Sequence, residues 1–511
     1  MSDSVINTVV GGPPATGHRI SFARLGGSRT MDLTELYAMS GRVAARLREL
    51  GAGPGDRIGI LAANCLEWVL LDLAALRIKA VTAGFEPGKF LEPQGLMEQY
   101  GLTLLFTDRA PEQPVPGVLP LTEVMEAAGR EDVEQPLPVR YAPDEVTTVK
   151  FTSGSTGVPK GLAATVGSID SSMNAVQEMF DHGRDDDLFV FLPLSLLQQR
   201  YWIYSALCFG HDVTVSTYEA AFATLGRSRP TVVMGVPAFF EAAKKQIQRH
   251  AERAAGPDPQ EDRRAAGRKV FGDRIRYMWT GSAPADPTVL RYLTESGLPV
   301  YEGYGLNETC IVSKNHPGAH REGSVGRVLR GKEVLFDDDG VVLVRSDHPV
   351  NHAYEFARPG DSERIFVGDG VVRTGDIGHI DEDGFLFIQG RADDVIVLGN
   401  GKKVIVRPVE ERMRAAAAIE ECVVFCPAQT HLVALVSPAR EPADLDAIED
   451  QLNRVNAGST PDERISRVVV ADERLSIENG LLTSQFKPRR ARILAAYEAR
   501  IHDNKEGIHA Q

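Results

Sequence analysis

Apolar positions recur along the chain in two periods, one helical and one strand-like, and the segments that carry them alternate. Leu33 to Leu50 reads as an amphipathic helix and Arg57 to Ala62 as a buried strand. Further short apolar runs each lead into a loop: Val146 to Phe151 ends at a glycine-rich stretch, Leu188 to Leu192 precedes Pro193, and Thr231 to Val236 precedes Pro237. This alternation predicts an α/β fold with a large N-terminal multi-sheet domain, and active sites of open α/β sheets gather at such strand ends. Between His250 and Lys269 the chain turns polar around Gly256, Pro257 and Pro259, which reads as a surface loop or frayed helix ends.

A second pattern starts late in the chain. The hairpin-like segment Ile377 to Ile388, turning at Asp381-Glu382-Asp383-Gly384, closes one unit, and Gly390 to Asp394 marks a boundary. Beyond it come a short strand from Val395, the turn Gly399-Asn400-Gly401-Lys402, a helix near Val409 to Ala418, and strands over Glu421 to Phe425 and Leu432 to Val436. These predict a compact α+β domain of about one hundred residues. The expected organisation is an N-terminal domain over 1–389, a hinge at 390–394 and a small mobile C-terminal domain over 395–511.

Composition narrows the function classes. A chain of 511 residues exceeds what one hydrophobic core usually organises, which agrees with more than one domain. With 43% hydrophobic and 25% charged residues it has the make-up of an ordinary globular protein. A formal net charge of -14 argues against sequence-independent binding to nucleic acid or to an anionic membrane and favours small-molecule chemistry. Met1 to Gly17 has no basic stretch followed by an apolar core, so no secretory signal is read and a cytoplasmic setting is expected. The apolar stretch Trp68 to Val81 is broken by Asp72, Arg77 and Lys79 and falls short of the roughly 18 residues of a membrane span, so no transmembrane segment is expected. Five scattered cysteines, Cys65, Cys208, Cys310, Cys422 and Cys426, give neither a disulfide framework nor metal spacing.

The most informative chemistry lies in Ser153-Gly154-Ser155-Thr156-Gly157-Val158-Pro159-Lys160-Gly161. Backbone amides of a glycine-rich turn, joined by serine and threonine hydroxyls, can surround phosphate oxygens, and Lys160 would neutralise their charge. The Walker pattern is not met, because Pro159 stands where a glycine should precede the lysine and Gly161 where a serine or threonine should follow.

The stretch resembles the phosphate-binding signature of the adenylate-forming superfamily, which includes acyl-CoA synthetases, peptide-synthetase adenylation domains and firefly luciferase. Other motifs of that family follow in order. Gly55 to Ile60 with Asn64 and Glu67-Trp68 resembles its early structural motif, and Gly281-Ser282-Ala283-Pro284 is similar to the loop lining its adenine pocket. Tyr301 to Thr309 resembles the aromatic-glycine-threonine-glutamate signature, including Tyr304, Gly305, Asn307 and Glu308. The resemblance implies that Tyr304 stacks on adenine and that Glu308 holds Mg2+ and serves catalysis. Gly323-Ser324-Val325-Gly326 is similar to a further family turn. Arg373-Thr374-Gly375-Asp376 is similar to the motif whose aspartate binds the ribose hydroxyls, a role that suits a carboxylate able to accept from a cis diol. Gly390-Arg391-Ala392-Asp393 implies ribose or phosphate binding by Arg391 and a hinge at Asp393. Asn479 to Arg490 resembles the lysine-bearing loop of long-chain acyl-CoA synthetases, which makes Lys487 the implied catalytic lysine.

Several positions depart from the family pattern. Asn307 stands in place of a usual threonine, Val166 in place of a common histidine, Lys150 in a normally apolar strand, and Leu196 in place of a histidine in Leu192 to Arg200. In relatives that last region borders the acyl and thiol channels. The resemblance implies an AMP-forming ligase that uses ATP and Mg2+ to convert a small-molecule acid to an acyl adenylate and passes it to a thiol, CoA or a carrier protein. In that scheme the small domain turns about its hinge, so that Lys487 serves the first step and the Gly399 to Lys402 turn the second. The alternative keeps the adenylation but activates another acid, such as nitrite, and transfers it to an amine, as in diazotisation. A non-catalytic nucleotide binder is opposed by the joint presence of Lys160, Glu308, Asp376, Arg391 and Lys487.

Overall fold

The computed structural model describes residues 4–88, 93–109, 111, 113–131, 133–152, 159–254, 256–483, 488–503 and 507–510. Two compact units divide the chain. One comprises Met1–Leu335, Leu343–Thr374 and Ile380–Leu386, and the other Phe336–Val342, Gly375–His379 and Phe387–Gln511.

The larger unit is built on two sheets. Among the described residues one has nine strands, running from Arg327–Val328 through Cys310–Lys314, Val300–Leu306, Tyr277–Thr280, Val232–Gly235, Asp187–Val190 and Asp212–Val215 to the hairpin Arg19–Arg24 and Gly27–Asp32. The other has six, in the order Val118–Pro120, Leu104–Thr107, Arg57–Leu61, Val81–Phe85, Val146–Thr152 and Lys160–Thr165. Most neighbouring strands are parallel, and the last pair of the six-stranded sheet is antiparallel.

Helices Leu33–Glu49, Leu66–Arg77, Val166–Phe180 and Leu197–Ser205 share one buried cluster with Ile58 and Leu104 of one sheet and Val190 and Val213 of the other. A helix that is apolar all round belongs inside a core. Leu66–Arg77 is such a helix, buried at nearly every position, and this accounts for the apolar run around Trp68. Among the described residues no helix is long and apolar enough to cross a membrane.

The polar stretch after His250 is helical, not a loop. Pro237–Ala254 continues through it, and a second helix, Pro259–Phe271, starts where the Asp258 carboxylate accepts from the Gln260 and Glu261 amides at 2.9 and 3.3 Å, with Pro259 in the first turn. Ala266 and Val270 provide the narrow apolar seam that packs with Phe240, Ala243 and Ile247. Dense surface charge hid that seam in the linear pattern.

In the smaller unit, Ile419–Phe425, Leu432–Pro438, Ile465–Val470 and Ile508–His509 form a four-stranded sheet. Cys422 is buried on the first of these strands. The helix expected near Val409 to Ala418 runs over Val406–Arg414, because Pro408 is accommodated in its first turn, where its missing N–H costs nothing.

Two buried histidines give the larger unit an acid-sensitive core. His182 and His211 are 3% and 0% exposed; His182 Nε2 meets the Tyr277 hydroxyl at 2.5 Å, and His211 Nε2 meets Ser205 Oγ at 2.8 Å. Burial pushes their pKa values down to about 2 and about 4. In the unfolded chain both take up a proton near about pH 6.5, so the native state loses stability as pH falls below that value and towards the folded pKa values. Between pH 6 and 4.5 each histidine should contribute a slope approaching about 1.4 kcal/mol per pH unit. Urea unfolding across that range should show His182→Gln with one proton less of slope than the parent; equal slopes would refute the assignment.

Candidate active site

The strands on either side of the glycine-rich stretch are hydrogen-bonded with Thr152 opposite Lys160, so the chain leaves and re-enters the sheet at one point. Ser153, Gly154, Ser155, Thr156 and Gly157 lie outside the described residues, as does Lys487. Gly161 exchanges two backbone hydrogen bonds with Glu355, at 2.9 and 2.8 Å. A Cβ at Gly161 would stand 2.9 Å from the Phe356 ring and 3.0 Å from Val149, so the close approach requires glycine.

That pairing brings the 354–361 segment against Lys160. The Lys160 ammonium lies 3.0 Å from Asp361 Oδ2 and 5.2 Å from the centre of the Tyr354 ring. Its hydrogen bond holds the Asp361 carboxyl below the ordinary range. The Tyr354 hydroxyl donates to Glu308 Oε1 at 2.5 Å. Lys160 and Glu308, far apart in the chain, therefore meet through Tyr354. The sequence reading missed both Tyr354 and Asp361; the only local cue was the turn-forming Arg358-Pro359-Gly360 ahead of Asp361.

Glu308 sits in a tight turn between strands. Leu306 N donates to Thr309 Oγ1 at 3.0 Å, and Cys310 begins the return strand with φ +54°. Tyr304 and Gly305 end the preceding strand, with a register shift between them. A Cβ on Gly305 would fall 2.0 Å from the Cys310 carbonyl oxygen, which explains the glycine there. Asn307 is exposed and Glu308 partly buried. Gly281, Ser282 and Ala283 directly follow the strand Tyr277–Thr280, and a Cβ on Gly281 would come within 3.3 Å of the Gly303 carbonyl, so this loop abuts the Tyr304 segment. Ser282 has φ +69°.

Magnesium takes one or two carboxylates and completes its shell with substrate phosphates and water. A single carboxylate at Glu308, oriented by the Tyr354 hydroxyl, fits that demand. Among the described residues no group of three or more His, Cys, Asp or Glu side chains is arranged to enclose a metal.

The departures from the family pattern have local accounts. Leu196 packs against the apolar cluster containing Phe191 and Phe239, a contact an imidazole would not fill as well. Val166 is buried at the start of its helix, where the Thr165 side chain caps the Ser168 amide. Arg200, fully buried, is paired with Asp72 at 2.9 Å. Lys150 is also buried, with its Nζ 3.5 Å from Cys310 Sγ.

The smaller unit holds the remaining candidates. Asp376, nearly buried, accepts from Arg391 Nη1 at 2.9 Å, and Asp393 Oδ2 lies 3.8 Å from Arg391 Nη2. Gly375 has φ +74°, and a Cβ there would be 2.9 Å from Arg391 Nη2. Within this unit Asp376, Arg391 and Asp393 thus form one cluster.

A family model described as AMP-binding enzyme matches residues 14–348, and a second, described as AMP-binding enzyme C-terminal domain, matches residues 393–506. A long-chain-fatty-acid–CoA ligase of Mycobacterium bovis is 29% identical over 478 residues, spanning 82% of this chain and 78% of that protein. A 2-succinylbenzoate–CoA ligase of Bacillus subtilis is 26% identical over 416 residues, spanning 77% of this chain and 79% of its own length. Among solved structures, o-succinylbenzoate CoA synthetase from Bacillus subtilis in complex with its acyl-adenylate intermediate matches with a TM-score of 0.77 at 21% identity, covering 99% of both chains. ATP-bound MatB from Rhodopseudomonas palustris matches with a TM-score of 0.78 at 20% identity, covering 98% of this chain and 100% of that one. At such identities the likeness establishes the fold.

Proposed function

This chain belongs to the AMP-binding enzyme family, and on that premise we propose that it is an ATP-dependent, AMP-forming ligase that joins a small-molecule acid to CoA. The acid's oxygen attacks the α-phosphorus of ATP and pyrophosphate departs; the CoA sulfur then attacks the acyl carbon of the adenylate and AMP departs. The observation that carries this reading is the meeting of Lys160 with Glu308 through Tyr354. It gathers a cation for the leaving phosphates, from an edge strand of the six-stranded sheet, and a carboxylate for Mg2+, from a turn of the nine-stranded sheet.

The remaining roles follow from chemistry. Ser153, Gly154, Ser155, Thr156 and Gly157 would hold the β- and γ-phosphates with Lys160, as hydroxyl and amide donors do. Gly281, Ser282, Ala283, Tyr304 and Gly305 would border the adenine, with the Tyr304 face available to a purine. Asn307 can donate to the α-phosphate, Asp376 can accept from the ribose hydroxyls, and Arg391 both orients Asp376 and adds positive charge. Bound Mg2+ would neutralise phosphate charge, and Tyr354 orients the Glu308 carboxylate that receives it. Asp393 serves as the hinge of a two-domain cycle with boundaries near 390–394. A cytoplasmic setting, where ATP and CoA are both supplied, goes with this reading. The named CoA-ligase relatives support CoA over a carrier protein, and none supports transfer of nitrite to an amine.

The test is exchange of labelled pyrophosphate into ATP over a panel of aliphatic, aromatic and inorganic acids, followed by AMP release on adding CoA or an aromatic amine. Acid-dependent exchange with CoA-dependent AMP release is expected. No exchange with any acid would overturn the ligase assignment, and AMP release driven by nitrite and the amine alone would replace CoA as the acceptor.

A further inference from the structure

Helix Arg490–His502 opens three residues beyond Lys487, and its first side chain is tied to three other elements of the smaller unit. Arg490 Nε lies 3.1 Å from Asp394 Oδ1, Nη1 donates to the Val424 carbonyl at 3.0 Å, and Nη2 donates to Glu410 Oε1. Asp394 ends the short helical turn Ala392–Asp394, Glu410 lies on Val406–Arg414, and Val424 on the strand Ile419–Phe425. All of them belong to Phe387–Gln511 of that unit. A guanidinium offers its donors in a rigid fork, so one side chain can fix three separate elements.

Two of these contacts have an evident structural purpose. Glu410 is 8% exposed and also accepts from the Val424 amide at 2.7 Å, so Arg490 supplies the counter-charge of a buried carboxylate. The Asp394 contact is different. Its side chain is 33% exposed, and an ion pair that water can reach adds little to stability. What it adds is a fixed spacing between the turn that follows Asp393 and the chain next to Lys487.

The stretch that carries Lys487 is pinned on both sides. Leu482 and Pro488 form an antiparallel bridge, the Arg489 amide donates to the Leu481 carbonyl at 2.8 Å, and the Leu482 amide donates to the Ser476 carbonyl at 2.9 Å. Leu481, Leu482 and Ile493 share one buried cluster. With these ends fixed and Arg490 gripping Asp394, the turn 392–394 and the base of the lysine-bearing stretch form one connected piece.

We propose that Arg490 is a positioning residue: through Asp394 it couples the hinge turn to the stretch bearing Lys487 and so sets that lysine for adenylate formation. The inference rests on the reading that Lys487 serves the first half-reaction. Attack of the acid on the α-phosphorus uses the lysine and transfer of the acyl group to CoA does not, so loss of the coupling should fall on the first step alone.

Asp394→Asn and Arg490→Lys are made in the full chain, with Lys487→Ala as the reference. Each of the first two should lower kcat for acid-dependent pyrophosphate exchange about ten-fold, as for a catalytic group that is loosened but present, while transfer of a supplied acyl adenylate to CoA stays close to the parent's. Adding Asp394→Asn to Arg490→Lys should cost nothing further, because both remove the same bond. Asp394→Asn should melt with the parent and decides alone where Arg490→Lys does not fold. Unchanged exchange, equal loss in both half-reactions, or additive losses in the double variant overturns the proposal. If Lys487→Ala loses exchange and Asp394→Asn does not, this inference fails alone; if Lys487→Ala is unaltered, the role of the lysine fails and the inference with it. If no acid supports exchange, the ligase assignment fails by itself, and amide hydrogen exchange over residues 480–489 decides the coupling: faster exchange in Asp394→Asn sustains it, and equal rates overturn it.

Discussion

Replacing Asp72 by alanine is expected to cost the larger unit about 3–5 kcal/mol, the usual penalty for stranding one member of a buried ion pair. Arg200 is 0% exposed and Asp72 3%. Arg200 Nη1 donates to Asp72 Oδ1 at 2.9 Å and to Thr82 Oγ1 at 3.0 Å, Nη2 donates to Thr148 Oγ1 at 2.9 Å, and the Tyr204 hydroxyl donates to Asp72 Oδ2. Asp72 lies on Leu66–Arg77 and Arg200 on Leu197–Ser205, so the network ties two core helices to the six-stranded sheet. Alanine at position 72 would leave a guanidinium charged in a site that water cannot reach. A domain is stable by only about 5–15 kcal/mol, so the variant should melt far below the parent in urea or on heating. Removing the charge as well, in Asp72→Ala with Arg200→Met, should recover most of the loss, because a buried pair replaced by apolar groups is often neutral. A single-variant loss under about 1 kcal/mol would mean that the pair is solvated and the argument fails.

Lys487→Ala should lower acid-dependent pyrophosphate exchange by about 10²–10³-fold, the effect of removing one preorganised donor from developing charge. In the proposed reaction that lysine neutralises charge between the attacking acid and the α-phosphate. The loss should therefore fall on kcat, with the KM for ATP nearly unchanged, since the interaction belongs to the transition state. Transfer of a supplied acyl adenylate to CoA should persist in the same variant, because the second half-reaction needs no attack on phosphorus. Unaltered exchange would remove Lys487 from the chemistry and leave it as one more basic residue beside the exposed Arg489 and Arg492.

Much of the scaffold was legible in the residue pattern. Leu33–Glu49 and Arg57–Leu61 occupy the expected positions because their apolar periods match the elements they form. The apolar run at Trp68 forms a buried core helix, and its interrupting Asp72 is the partner of a buried arginine. The segment after His250 misled because its helices carry only a narrow apolar seam under heavy surface charge. The helix expected near Val409 to Ala418 starts earlier, at Val406, because its first turn tolerates Pro408.

The sequence by itself determined the alternation of strands and helices, the glycine-rich stretch ending in Lys160, and the order of motifs that marks the adenylate-forming superfamily. These are properties of neighbouring residues, for which local period and spacing suffice. Only the tertiary structure decided that Tyr354 and Asp361 stand at Lys160 and Glu308, that Arg200 neutralises Asp72, and that Lys150 faces Cys310 with Lys332 nearby. Those contacts join residues far apart in the chain, and a charge's meaning depends on what surrounds it.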